Sequence, residues 1–181
     1  GLFPSFWLLL SVFGGEFVSD SVGDKIKQTP MTTYGVTKSV GELLINDYTR
    51  KGFIDGRTAR LPTVVVRPGK PNAALSSYAS AIIREPLSGT DYSCPVPVET
   101  EMPIIGYRNC IECLILLYEL ESKYLGYDKA VSLPSIKSNV QMSIDALYRV
   151  SKGMNLGDIK VAANEHNINT VKGWAKSTND E

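Results

Sequence analysis

The chain has few of the residues that disulfide scaffolds and metal sites need. It contains three cysteines and one histidine in 181 residues. An odd and sparse set of cysteines does not build a disulfide framework. Cys110 and Cys113 have the spacing of a metal or redox pair, but no second pair accompanies them. Because both fit the inner side of an apolar helix, we interpret them as structural residues and predict no metal site.

The chain also lacks an excess of charge of either sign and a long apolar run. Its 19 basic and 19 acidic residues give a formal net charge of zero, which disfavours nucleic acid or an anionic membrane as the main partner. The apolar segment from Phe6 to Phe13 is too short to span a bilayer. Because no basic region precedes it, we interpret it as a buried strand rather than the core of a signal peptide.

A glycine-rich nucleotide-binding turn is the third absence. No Gly-x-Gly-x-x-Gly occurs in the sequence, and a parallel-sheet nucleotide-binding fold uses this turn to hold a pyrophosphate. The order of strand, helix, strand and then short mixed elements indicates α/β architecture. The pattern therefore predicts the second half of such a fold.

One helix is well marked at both ends. It is expected to begin near Thr32 or Thr33, which are good N-cap residues, and to end at Arg50-Lys51-Gly52. An apolar stripe marks it as amphipathic: Val36, Val40, Leu43, Leu44 and Asp47/Tyr48. Further predicted elements are a strand at Arg57–Leu61, a helix at Ser77–Arg84 ended by Glu85-Pro86, and helices at Asn109–Glu121 and Gln141–Lys152.

The motif Tyr34-Gly-Val-Thr-Lys38 is the most informative feature that is present. Four residues make about one helical turn, so the phenol and the ammonium share a face. A neighbouring cation favours phenolate over phenol, and this chemistry can take a proton from an alcohol while hydride leaves its carbon. The same spacing recurs at Tyr148 and Lys152, but no comparable strand and loop precede it, so we interpret that pair as a surface pair.

Taken together, these residues resemble the extended short-chain dehydrogenase/reductase family, also called the NAD-dependent epimerase/dehydratase family. The matching pieces are Val12-Phe-Gly-Gly15, Thr29-Pro30, Tyr34-x-x-x-Lys38, Gly41-Glu42 and Arg60-Leu-Pro-Thr63. Arg60 to Gly69, Lys70-Pro-Asn72 and Ile82 to Gly89 resemble its D-erythronate dehydrogenase branch, which acts on four-carbon sugar acids.

The resemblance implies a fold as well as a chemistry. The fold is α/β, the C-terminal part of a Rossmann-type fold that lacks the N-terminal nucleotide-binding half, with a small mixed α/β substrate domain. Residues 1–68 would hold the remaining strands and the catalytic helix. Residues 69–181 would be mostly the substrate-binding part, with interleaved sheet elements.

The resemblance also implies roles for individual residues. Tyr34 would be the general acid/base, and Lys38 would tune it and hydrogen-bond the nicotinamide ribose of NAD. Pro62 and Thr63 would line the nicotinamide pocket. The candidate substrate-binding residues are Ser11, Asn72, Ser76, Ser77 and Arg108. Arg108 could grip a substrate carboxylate through two parallel hydrogen bonds, or it could be a surface arginine that caps the end of a strand.

One position departs from the family pattern. The family has a Ser or Thr near the end of the strand before the catalytic helix, where its hydroxyl helps to hold the substrate oxygen. Leu9 occupies this position here. Ser11 lies two residues further on and would point to the same face of the sheet, because side chains alternate along a strand.

The implied function is NAD-dependent oxidation of a hydroxyl group of a D-erythronate-like sugar acid in the cytoplasm. Two alternatives stay open. The missing glycine-rich turn and Leu9 favour a non-catalytic truncated remnant or a partner-binding fragment of such an enzyme. A nucleotide-sugar epimerase or dehydratase uses the same fold. The expected partners are a small-molecule sugar acid and either a second copy of the chain or the missing N-terminal half, with no nucleic acid and no membrane.

Overall fold

The computed structural model describes residues 8–9, 12–14, 21–70, 74–175 and 177–178. Its helices are α1 (Thr33–Arg50), α2 (Tyr78–Leu87), α3 (Tyr107–Glu119), α4 (Val140–Val150) and α5 (Glu165–Lys172), with 3-10 turns at Leu75–Ser77 and Ser122–Tyr124. Its strands are β1 (Leu8–Leu9), β2 (Ser21–Val22), β3 (Thr58–Leu61), β4 (Thr63–Val65), β5 (Tyr92–Cys94), β6 (Glu101–Gly106), β7 (Ala130–Ser132), β8 (Ile136–Asn139), β9 (Ile159–Val161) and β10 (Ser177–Thr178). The predicted α/β architecture is confirmed.

The strands form two small sheets and two isolated pairs. The first sheet has the order β1-β3-β7 and is parallel throughout, with Leu9 opposite Leu61 and Arg60 opposite Ser132. The second sheet has the order β4-β6-β8, in which β4 and β6 are parallel and β8 is antiparallel to β6. β2 pairs with β10, and β5 pairs with β9, both in parallel.

β3 is the central strand of the first sheet and is buried along its whole length. Its side chains alternate between the two faces, as in any strand. Arg60 points to one face and meets Glu42 of α1. Ala59 and Leu61 point to the other face and belong to a cluster that includes Cys110 and Leu117 of α3. Helices α1 and α3 therefore cover opposite faces of the first sheet.

A second apolar cluster lies within the later part of the chain, between α2, α4 and the strands near them. Its buried members are Tyr78, Ala79, Ile82, Cys94, Val96, Met102 and Val140. The first sheet, however, draws on both predicted parts, because β7 (Ala130–Ser132) pairs with β3. The division of the chain at residue 68 stays a prediction.

Helix α1 begins where the sequence predicts, but it is rotated differently from what its apolar stripe suggests. Thr32 is the N-cap, and its hydroxyl accepts a hydrogen bond from the Gly35 N–H at 3.0 Å. The residues that α1 buries are Gly35 and Glu42. The apolar stripe is instead exposed, with Leu43 at 66%. The buried Glu42 forms an ion pair under the helix, described below.

The helix predicted at Ser77–Arg84 is present as α2, but its predicted end at Glu85-Pro86 is wrong, because α2 continues through Pro86 to Leu87. Proline lacks an N–H, and this costs one hydrogen bond, which is tolerable in the last turn. The turn is closed by other donors: Ser88 N–H bonds to the Arg84 carbonyl oxygen at 3.2 Å, and Gly89 N–H bonds to that of Pro86 at 2.9 Å.

Candidate active site

The amino end of α1 lies at the carboxyl edge of the first sheet. Glu42, in the middle of α1, meets Arg60 in the middle of β3. Further along the helix, the hydroxyl of Thr49 accepts the N–H of Gly56, which precedes β3, at 3.1 Å. The helix thus runs opposite to the strands. Tyr34 comes eight residues before Glu42, so it lies about 12 Å closer to the edge where the parallel strands end. Ligands of open α/β sheets bind at this edge.

The segment that leads into α1 is held by hydrogen bonds to residues 12–14, which come after β1 in the sequence. The Thr29 N–H donates to the carbonyl oxygen of Val12 at 3.0 Å, and the Thr29 hydroxyl donates to the carbonyl oxygen of Gly14 at 2.9 Å. These contacts fix the chain three residues before the N-cap Thr32. Helix α1 therefore starts from an anchored loop.

Tyr34 and Lys38 are in contact, as their spacing predicts. The Lys38 Nζ lies 5.2 Å from the centroid of the Tyr34 ring, within the range of a cation–π contact. The Tyr34 side chain is 48% exposed, and Lys38 is half-buried. The phenol is thus reachable from solvent, and a cation lies against its ring. This arrangement can support proton transfer at the Tyr34 hydroxyl.

A buried ion pair lies beneath the same helix. Arg60 Nη2 donates to Glu42 Oε1 at 2.5 Å, and Arg60 Nε donates to Glu42 Oε2 at 3.0 Å. The two side chains are 2% and 3% exposed. Two groups from the loop before α1 join them: the Gln28 side-chain amide donates to Glu42, and Arg60 Nη1 donates to the Asp24 carbonyl oxygen at 3.0 Å. The pair therefore connects the loop, α1 and β3.

This pair has a clear electrostatic consequence. Burial by itself lowers the pKa of the Arg60 guanidinium, but the hydrogen bonds and charge of Glu42, with the charges of Asp128 and Asp24, outweigh burial and raise that pKa. Arg60 is therefore a permanent cation in the interior. Sequence periodicity missed this pair because a charged residue on a helix is normally expected on the exposed side. The only signal was that both residues occur among the family-like motifs.

Pro62 and Thr63 lie at the carboxyl end of β3. Pro62 is fully buried, and Thr63 is half-buried at the start of β4, opposite Ile104. They follow the same end of β3 toward which α1 directs Tyr34. Their place in a nicotinamide pocket stays a prediction.

Three predicted substrate residues are on two other elements. Ser76 and Ser77 are half-buried in the 3-10 turn before α2. Arg108 is exposed in the first turn of α3, where its Nε donates to the Tyr107 hydroxyl at 3.1 Å. This hydrogen bond raises the pKa of Arg108. Arg108 is therefore a charged, accessible guanidinium whose role with a substrate stays a prediction.

Two predicted residues, Ser11 and Asn72, lie outside the described residues. Leu9, which takes the place of the expected hydroxyl residue, is in β1 and pairs in register with Leu61. Of the strand predicted from Phe6 to Phe13, Leu8–Leu9 form β1, whereas Val12 and Phe13 are not in a strand and the other residues lie outside the described ones.

The cysteines behave as packing residues. Cys110 is buried in the cluster under α3, and Cys113 packs against the same cluster. Burial raises the pKa of the Cys110 thiol, so it stays protonated near neutral pH. Within the described ranges, no three His, Cys, Asp or Glu side chains come together in a way that could hold a metal ion. In the same ranges, no helix combines the length and apolarity needed to cross a bilayer.

No model of a known protein family matches the chain. Individual relatives do. The chain is 42% identical over 173 residues to a D-erythronate dehydrogenase of Cupriavidus necator, covering 95% of this chain and 53% of that protein. It is 40% identical over 165 residues to a D-erythronate dehydrogenase of Haemophilus influenzae, covering 91% and 52%. The chain thus spans about half the length of the curated relatives it matches, and that half is the C-terminal one.

A solved structure shares both sequence and fold. The crystal structure of a nucleoside-diphosphate-sugar epimerase from Agrobacterium tumefaciens is 35% identical, with a TM-score of 0.87 over 94% of this chain and 50% of that chain. A GalE-like L-threonine dehydrogenase from Cupriavidus necator, at 21% identity and a TM-score of 0.85, shares the fold alone. The predicted C-terminal part of a Rossmann-type fold is therefore confirmed.

Proposed function

We propose that this chain, which is homologous to the C-terminal half of extended short-chain dehydrogenase/reductases of the NAD-dependent epimerase/dehydratase family, supports NAD-dependent oxidation of a hydroxyl group on a sugar acid. The observation that carries the proposal is the contact between Tyr34 and Lys38 at the carboxyl edge of the first sheet. Two relatives at 40–42% identity are D-erythronate dehydrogenases. We therefore assign a four-carbon sugar acid such as D-erythronate as the substrate.

The proposed chemistry centres on the Tyr34 hydroxyl. As the substrate alcohol becomes a carbonyl, Tyr34 accepts the hydroxyl proton as general base. A bound NAD would supply the acceptor for the hydride that leaves the same carbon. Lys38 lies against the ring of Tyr34 and hydrogen-bonds the nicotinamide ribose. Pro62 and Thr63 form a wall of the nicotinamide pocket.

The residues present fit the nicotinamide end of this cofactor. An exposed phenol, a cation one turn away and the Pro62–Thr63 turn all lie toward one edge of the sheet. The 181 residues contain no Gly-x-Gly-x-x-Gly turn for the pyrophosphate. We therefore assign pyrophosphate binding to polypeptide beyond these residues.

For the substrate, we propose that Arg108 binds the carboxylate. A guanidinium and a carboxylate match in shape and can form two parallel hydrogen bonds. Arg108 is exposed, and its hydrogen bond is to the side chain of the adjacent residue Tyr107, so its guanidinium is accessible to a substrate. The hydroxyl groups of Ser76 and Ser77, with Ser11 and Asn72, would hold the hydroxyl groups of the sugar acid.

A second candidate function is a non-catalytic fragment that binds a partner chain. The observation that favours it is the exposed apolar stripe of α1, which includes Val40 at 50% and Leu43 at 66% exposure. A second copy of the chain, or the half of the relatives that this chain does not span, would cover such a surface. A third candidate, a nucleotide-sugar epimerase or dehydratase, is favoured by the 35% identity to the Agrobacterium epimerase.

Titration of NAD into the purified chain by calorimetry tests whether this chain alone holds the cofactor. Binding with a dissociation constant near 1 μM corresponds to about 8 kcal/mol and would require a working cofactor site in this chain alone. Flat injections would agree with pyrophosphate binding outside these residues, and the chimera then separates the first candidate from the second.

A chimera tests the chemistry itself. In it, the half of the Cupriavidus D-erythronate dehydrogenase that this chain does not span is joined in frame ahead of residue 1. Oxidation of D-erythronate is followed by the absorbance of reduced nicotinamide. Turnover is the expected result. A chimera that folds and binds NAD but converts UDP-sugars instead would favour the third candidate. One that binds NAD and converts neither substrate would overturn the proposed function.

A further inference from the structure

Helix α1 packs on the first sheet with its polar side. It buries Gly35 and Glu42, whereas the exposed side carries Val36 at 46%, Val40 at 50%, Leu43 at 66%, Leu44 at 53% and Tyr48 at 47% exposure. At about 100° per residue, the centre of this stripe lies about 150° around the helix from the buried side. Burial of apolar surface alone would favour the opposite rotation. In this chain by itself, burial of the apolar stripe therefore does not account for the observed rotation, and the polar contacts under the helix are the candidate cause.

The ridge of α1 that contains the buried Glu42 begins with the candidate catalytic pair. Tyr34, Lys38, Glu42 and Asn46 follow at intervals of four residues, so they lie on successive turns. Exposure falls along the ridge, from 48% at Tyr34 to 3% at Glu42. Further along, Asn46 Oδ1 accepts the N–H of Lys129, just before β7, at 2.9 Å. Any roll of α1 would carry the whole ridge with it.

Glu42 is the point at which this ridge is fixed most firmly. Its contact with Arg60 uses both carboxylate oxygens and two guanidinium nitrogens, so it fixes orientation as well as distance. Gln28 and the carbonyl of Asp24 bind the same pair from the loop before α1. A rolled helix would leave two buried charges without partners, which is strongly unfavourable.

We infer that the Glu42–Arg60 pair determines the rotation of α1 and thereby sets which way Tyr34 and Lys38 face at the end of the helix that lies at the carboxyl edge of the sheet. Glu42 and Arg60 are positioning residues for that pair. Their catalytic meaning rests on the proposed function, whereas the rotation of the helix can be measured without cofactor or substrate.

Cysteines introduced at neighbouring positions of α1 report this rotation. The Ser39 hydroxyl oxygen is buried, and Val40 is 50% exposed. We expect Ser39→Cys to react slowly with a thiol reagent and Val40→Cys to react fast. The rate of the chain without an introduced cysteine is subtracted, which removes the contribution of the three native thiols.

The decisive background is the double variant Glu42→Leu with Arg60→Met, into which each cysteine is introduced in turn. It removes both charges and replaces the two side chains by apolar ones of similar volume. Such replacements of buried ion pairs are often neutral or stabilising. A merely structural pair would then leave the protection at position 39 unchanged. We expect labelling at position 39 to rise by about tenfold or more, and labelling at position 40 to fall, without a lower unfolding midpoint in urea.

The matched control removes an exposed pair on the same helix. Asp47 and Lys51 lie 2.7 Å apart near the end of α1, and Asp47→Asn with Lys51→Gln is expected to change neither labelling rate. Full protection at position 39 in the decisive background would overturn the inference.

If that background does not fold, Glu42→Gln replaces it, because this change keeps the shape of the side chain. If position 39 could be labelled only in the unfolded chain, the labelling rate would follow from the measured free energy of unfolding. We expect labelling at position 39 to be faster than that rate, and a rate equal to it would overturn the inference. Because no arm of the experiment uses NAD, an inactive chimera would count against the proposed function alone.

Discussion

Arg60 and Glu42 form a two-point ion pair in the interior, with Nη2 2.5 Å from Oε1 and side chains 2% and 3% exposed. Removal of one partner leaves the other charge buried without compensation. We expect Arg60→Met to lower the free energy of unfolding by about 3–5 kcal/mol, measured by urea denaturation. The control is Asp47→Asn, which breaks exposed contacts with Arg50 and Lys51 and should change the free energy of unfolding little. Equal losses in the two variants would contradict the prediction.

The same pair shows where sequence patterns stop being informative. The start of α1 could be predicted because Thr32 is a local N-cap signal, and the structure confirms it. The rotation of α1 could not be predicted, because it depends on Arg60, which is distant in sequence. A hydrophobic pattern reports which residues are apolar, and on α1 the residues of the apolar stripe are exposed. Long-range polar contacts of this kind carry no periodic signal.

Other elements follow the same division between local and long-range causes. The strand predicted at Arg57–Leu61 is present as β3, because a short stretch bounded by turn residues is a local signal. β8 (Ile136–Asn139) was not predicted, since its sequence is mostly polar and its pairing with β6 stabilises it. For the site, the contact of Tyr34 with Lys38 could be predicted because both lie on one helix. The positions of Ser76, Ser77 and Arg108 depend on how separate elements pack, and their roles stay predictions.

Tyr34→Phe removes the hydroxyl to which we assign proton transfer and keeps the ring that Lys38 contacts. In the chimera, we expect D-erythronate oxidation to fall by about 10²–10⁴-fold. NAD binding should change little, because the aromatic ring and Lys38 remain. Tyr148→Phe is the matched control, since Tyr148 has the same spacing to Lys152 and is 51% exposed on α4. Turnover that survives Tyr34→Phe at the level of the control would remove Tyr34 from the mechanism.

Tyr78 offers a test of buried polarity. Its side chain is 2% exposed, and its hydroxyl has no hydrogen-bond partner among the described residues. An unpaired buried hydroxyl is destabilising, so we expect Tyr78→Phe to raise the free energy of unfolding by about 1–3 kcal/mol near neutral pH. The exposed Tyr127→Phe should leave it unchanged. A lower stability of Tyr78→Phe in urea denaturation would show that the hydroxyl has a favourable partner.

The difference in free energy of unfolding between the wild type and Tyr78→Phe should grow in alkaline solution. Burial first, with Cys94 and Tyr92, raises the pKa of Tyr78 above its ordinary value of 10.0. A group with a raised folded-state pKa keeps its stabilising contribution below its unfolded pKa and loses it as pH rises further. The gap should therefore widen above about pH 10 by about 1.4 kcal/mol per pH unit. Burial also raises the pKa of Tyr92 to about 12, but this loss is common to both proteins and cancels.

The exposed side of α1 predicts association. Leu43 is 66% exposed at the middle of the apolar stripe, on the face of the first sheet that α3 does not cover. We expect the isolated chain to form concentration-dependent oligomers in sedimentation velocity, because an exposed apolar stripe gains free energy when it is covered. Leu43→Lys should shift the distribution toward monomer and change the free energy of unfolding by no more than about 0.5 kcal/mol. The control is Leu116→Lys on α3, which is also 66% exposed but lies on the opposite side of the sheet. An equal response of the two variants would mean that association follows general surface apolarity. A response to Leu43→Lys alone would make the α1 stripe the interface through which this chain meets its partner.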